Sequence, residues 1–136
     1  GNRRSIYLLH RRSMPVTVLE TFDAPRLTTN CIQRRTSNVV SQALLMLNSD
    51  FVMQAATDFA DRLLAATADE DQRLSQMYAI AFSREPTTDE READRAFLAK
   101  VTQVQSTESD INKRRRQAWV TLCHVVLAAN EFLYVR

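Results

Sequence analysis

Residues 74–104 read LSQMYAIAFSREPTTDEREADRAFLAKVTQV, and this stretch decides the fold class. Leu74, Met77, Tyr78 and Ala81 recur at helical spacing, so one stripe faces inward. The stripe ends near Arg84-Glu85-Pro86, because proline pushes the residue before it out of the α region. Thr87 and Glu90 then form Thr-x-x-Glu, a capping box in which each side chain accepts a hydrogen bond from a backbone N–H at a helix start. The helix it opens carries Ala93, Ala96, Phe97, Val101 and Val104 inward and its Asp, Glu and Arg residues outward.

The same pattern continues on both sides. Upstream, Thr36 or Ser37 can cap a helix with Val40, Ala43, Leu44 and Leu47 on its stripe. Asn48-Ser49-Asp50 is a stop and a restart, leading into a helix with Val52, Ala55, Ala56, Phe59, Leu63 and Ala66 inward and Asp58 and Arg62 on its wet face. Thr67–Asp71 is an acidic junction that suits the positive end of the next helix. Downstream, residues 105–112 read as a polar linker. A last helix from about Lys113 buries Trp119, Leu122, Cys123, Val126 and Leu127, and a tail with Phe132, Leu133 and Tyr134 needs an apolar dock. The N-terminal part is less regular. Residues 3–13 form an apolar stretch between Arg pairs, read as a helical turn or two. Residues 15–22 offer a short helix with Pro15 at its first position and Val18, Leu19 and Phe22 on one side. Residues 25–36 form an irregular loop. The expectation is all-α: a compact single-domain bundle of five to six helices over residues 3–136, after Gly1-Asn2 as a cloning remnant.

Composition narrows the function classes. The chain has 136 residues and one glycine, Gly1. Phosphate-cradling loops and dinucleotide fingerprints need several glycines at fixed spacing, so both are excluded. No apolar run reaches the roughly 18–20 residues of a membrane span. Of 18 basic residues 16 are Arg, yet the net charge is only +2; this balance does not call for nucleic acid, which favours a clearly basic face. Cys31, Cys123, His10 and His124 are too scattered for a zinc site. Cys123-His124 lacks the second cysteine of a c-type haem attachment, because position 120 is Val. No metal and no cofactor is expected.

Several segments together resemble one family. They are Arg4-Ser5-Ile6-Tyr7, Phe22-Asp23-Ala24-Pro25, Cys31 with Arg34-Arg35, Gln42-Ala43-Leu44 with Leu47–Phe51, Ala81–Arg84 with Pro86-Thr87 and Glu90, and Trp119 through Leu122-Cys123 to Asn130-Glu131-Phe132. In this order they resemble the C-terminal planctomycete-specific domain of unknown function that accompanies planctomycete cytochrome-c-like domains in large multidomain proteins. The chain departs from that pattern at Ala128-Ala129, where a Leu-Asn-like pair is expected, and at Ser83, where small residues such as glycine are usual. The resemblance implies the C-terminal fragment of a longer exported protein, with neighbouring domains of that protein as partners and possible contacts to other proteins. It implies no activity and no catalytic residue.

Individual residues leave readings open. Arg34 and Arg35 precede a helix start, where two guanidinium groups can hold an anion; they can equally pair with acids such as Asp23 or Glu131. Cys31 and Cys123 can form a disulfide, which an exported location permits, or Cys123 can be a buried free thiol in its apolar stripe. Lys113–Arg116 is a cationic run at a helix start, disfavoured there by the helix dipole. Gln42 and Asn130 sit near apolar stripes and should satisfy backbone ends. Three functions compete: a non-catalytic interaction or structural module, an accessory part of an active site for polysaccharide or other polymer turnover, and an anion or nucleic-acid binder through its Arg clusters. The first leaves an apolar patch exposed; the second needs a cleft where Arg and carboxylate groups converge.

Overall fold

The computed structural model describes residues 21–22, 39–104 and 110–133. Among them are six helices and no strand: α1 Val39–Asn48, α2 Asp50–Ala66, α3 Glu70–Phe82, α4 Thr88–Val104, α5 Ile111–Leu127 and α6 Asn130–Leu133. The fold class is all-α, as the helical periodicity requires. The elements expected over 3–13 and 25–36, the capping of α1 by Thr36 or Ser37, and Tyr134 lie outside the described residues. Two units divide the chain, Gly1–Leu45 and Met46–Arg136.

In the first unit Gln42 is buried, and its Nε2 donates to the carbonyl of Thr21 at 3.2 Å. This is the backbone satisfaction expected of a buried amide. Leu44, placed on the inner stripe by its spacing, is exposed instead, and Phe22 is exposed as well. The reason is the composition of α1, VVSQALLMLN. It is apolar almost all round, so periodicity does not select a face.

In the second unit α5 is the central helix. It packs against α2, α3, α4 and α6, while α3 also meets α2 and α6. Neighbours on several sides bury Ala118, Trp119, Val120, Leu122, Cys123 and Val126. Opposite them lie Ala56, Ala60 and Leu63 of α2, Leu74, Met77 and Tyr78 of α3, and Leu98 of α4. Each large side chain so buried contributes about 1.5–3 kcal/mol. The alanines of α2 bring its backbone close to α5, since a methyl group takes little room between helix axes.

The helix ends follow their sequence signals, with two corrections. Asp69 caps α3 by accepting from the Gln72 N–H, and Glu70 and Asp71 occupy the first turn. Thr87 and Glu90 cap α4 reciprocally: the Thr87 N–H donates to Glu90 Oε2 at 2.7 Å, and the Glu90 N–H to Thr87 Oγ at 3.3 Å. Ser49 caps α2 through its carbonyl, which accepts from the Met53 N–H, but its side chain makes no capping bond. The last long helix starts earlier than Lys113. Asp110 caps it by accepting from the Asn112 N–H at 2.8 Å, so the linker is shorter than 105–112 suggested. The inward stripe of α4 is also narrower than expected. Leu98 is its buried residue, Phe97 and Val101 are half-buried, and Ala93, Ala96 and Val104 are exposed. Ala66 and Leu47 are likewise exposed.

Candidate functional site

The chain turns from α3 to α4 through Ser83, which has φ 57° and ψ 30°, the left-handed conformation. Its N–H donates to the Ala79 carbonyl at 3.2 Å. This turn aims Arg84 at two carboxylates. Arg84 Nη1 and Nη2 donate to Glu90 at 2.8 and 2.7 Å. Its Nε and Nη2 donate to Glu131 at 2.7 and 2.9 Å. The guanidinium also lies 5.2 Å from the Tyr78 ring centre and 5.5 Å from that of Phe82. One side chain thus ties the end of α3 to the starts of α4 and α6. Arg84 holds Glu90 down at about 2, helped by the Thr87 N–H, while the two carboxylates push Arg84 upward. A guanidinium with both forks filled has little left to offer a ligand. This cluster is a clamp.

Glu131 therefore pairs with Arg84. Its suggested partners Arg34 and Arg35 lie outside the described residues, as do Asp23, Cys31 and His10. Cys123 is a free, fully buried thiol, and burial pushes its pKa up to about 12. At neutral pH such a thiol is an inert core residue. His124 Nε2 lies 3.0 Å from the Met46 carbonyl, in hydrogen-bonding position. Asn130, expected near a buried stripe, is exposed at the start of α6. Among the described residues no three His, Cys, Asp or Glu side chains are grouped to hold a metal ion, and no helix is long and apolar enough to cross a membrane.

A second cluster lines a cleft of about 790 Å³ formed by α2, the junction into α3, α4 and α5. Its apolar wall includes Leu64, Leu98, Ala118 and Trp119, and its cations are Arg73, Arg95, Arg115 and Arg116. Arg116 forms a two-bond fork with Asp61, both bonds at 2.7 Å. Arg95 is held by Asp71 through Nε at 3.0 Å and through Nη2. These pairs draw the pKa values of Asp61 and Asp71 below the usual carboxylate range. Arg73 lines the cleft with little of its surface exposed. Its guanidinium lies 5.0 Å from the Trp119 ring centre, and its Nη2 donates to the Thr67 carbonyl. Glu70 is the one carboxylate among the lining residues, so the paired acids of general acid–base hydrolysis are not assembled on this wall.

Sequence reasoning singled out Arg115 and Arg116 within the cationic run but missed Arg73 and Arg95. The available signal was positional: Arg73 lies four residues before the buried Met77, on the inner side of α3. Arg95 carried no such mark, since an arginine on a wet helix face is ordinary.

No curated protein and no solved structure matches the chain. Residues 1–98 match a protein family described as PSD1, protein of unknown function (DUF1553). The matched stretch runs through α3 and into α4 as far as Leu98, so α5 and α6 lie beyond it. Covering most of the sequence, this match makes the chain a member of the PSD1 family of unknown function.

Proposed function

We propose that the chain is a non-catalytic helical interaction module. On this reading it docks onto neighbouring domains of a longer, exported protein that also carries a cytochrome-c-like domain. The observation that supports it is the apolar surface at the junction of α1 and α2. Leu47 is 52% and Phe51 70% exposed, and Met53 is exposed beside them in sequence. Leaving a phenylalanine this open forgoes about 1.5–3 kcal/mol of burial, a loss that a docked neighbour recovers. The family resemblance, with its planctomycete-specific setting, supports the identity of the neighbour.

Hydroxyl-radical footprinting tests the reading. Phe51 and Met53 should oxidise several-fold more slowly in the longer protein than in the 136-residue chain. Equal rates in the two would overturn it.

A further inference from the structure

The cleft beside Trp119 leaves two of its four arginines outside any ion pair among the described residues. Asp61 and Asp71 neutralise Arg116 and Arg95. Arg115 has no ionic partner among the described residues. Arg73 is only 9% exposed, its Nε is buried without an acceptor, and its one hydrogen bond goes to a neutral carbonyl. A buried guanidinium is costly unless an anion stands close to it. Burial acts most strongly against the charge of Arg73; Glu70 attracts it from the cleft lining, Arg115 is near enough to repel it, and Asp69 adds a weaker attraction. The start of α5 adds the positive end of a helix, partly offset by the Asp110 carboxylate that caps it. Beside these charges the wall is apolar, through Leu64, Leu98 and Ala118.

We propose that this cleft binds a small organic anion. Its carboxylate or phosphate group sits between Arg73 and Arg115, and its apolar body lies against Leu64, Leu98 and Ala118. A half-open cleft of about 790 Å³ falls within the roughly 300–1,000 Å³ typical of small-molecule sites. A long polyanion suits the cleft less well. With Arg95 and Arg116 already paired, the free cations form a point and not the continuous track that a phosphate backbone follows.

Trp119 is the chain's single tryptophan and lines the cleft, so its indole N–H gives one resonance at the site. The ¹⁵N-labelled 136-residue chain is titrated with benzoate, phenyl phosphate, neutral benzamide and a short oligothymidylate. Benzoate, phenyl phosphate or both should shift the indole resonance saturably, and which does so separates the carboxylate from the phosphate form. Benzamide should bind about ten-fold more weakly, the worth of one charge-assisted hydrogen bond. Arg115→Gln, at an exposed position that holds no other group, should weaken the anion by a similar factor while leaving the rest of the spectrum in place, and Arg115→Glu should abolish binding. The site is overturned by an indole resonance that neither anion shifts, by benzamide binding as tightly as the anions, by an Arg115→Gln chain that binds unchanged, or by an oligothymidylate that outcompetes both.

Discussion

Ser83 does the work that glycine usually does. A side chain in the left-handed region crowds the following carbonyl, at a cost of roughly 1–2 kcal/mol for a residue with a Cβ. Ser83 is the one non-glycine residue with positive φ among those described, and it ends α3 so that Arg84 can reach both carboxylates. The turn needs this conformation, and glycine adopts it freely. Ser83→Gly should therefore stabilise the chain by about 1 kcal/mol, raising the midpoint of thermal unfolding by roughly 3–5 °C. Thermal denaturation followed by circular dichroism checks this, and a lower midpoint would mean that the serine side chain holds the turn.

At the scale of the element, the start of α4 combines two devices in one carboxylate. Glu90 accepts from the Thr87 N–H as the far half of a capping box, and it holds Arg84. Glu90→Ala removes both and should cost about 1–2 kcal/mol, most of it from the lost cap because a partly exposed ion pair contributes little. Glu90→Gln keeps an oxygen for the Thr87 N–H and should cost clearly less. Urea denaturation of the two variants measures the difference; equal losses would place the stabilisation in the charge and not in the cap. The helix starts at Asp69, Thr87 and Asp110 share one logic, in which a short polar side chain satisfies an amide that the helix cannot.

For the whole molecule, acid should be the natural denaturant. Glu90 is lowered from 4.5 to about 2, and Asp61 and Asp71 are lowered by Arg116 and Arg95. A carboxylate lowered on folding stabilises above its unfolded pKa, and the contribution is lost as pH falls through the folded value. The unfolding midpoint should thus drop between about pH 4.5 and about pH 2. Asp94 acts in the opposite sense. Burial raises it first, the charge of Glu90 adds to this, and a hydrogen bond from Tyr78 opposes them. Its ionised form therefore destabilises the fold at neutral pH, and protonation relieves the cost. Asp94→Asn should raise the neutral-pH midpoint and steepen the acid-side loss, both read from thermal scans across pH.

The helices and their punctuation were legible because they depend on neighbours in sequence. Pro86, Thr87 and Glu90 act within one turn, and so do Asn48–Asp50. Faces were legible only where polar and apolar residues segregate. They do so in α2 and α5, whereas α1 is apolar almost all round, and in α4 the exposed Val104 and buried Leu98 depend on how far α5 extends beside it. The cleft was half legible. Lys113–Arg116 stood out as a charge run, but the pairing of Arg116 with Asp61 spans 55 positions and that of Arg95 with Asp71 spans 24, and no periodicity encodes either. By itself the sequence determined an all-α chain without phosphate-cradling loops, because periodicity, caps and the lack of glycine act locally. Only the tertiary structure decided which arginines are neutralised and which are left facing Trp119, because that depends on which helices pack side by side.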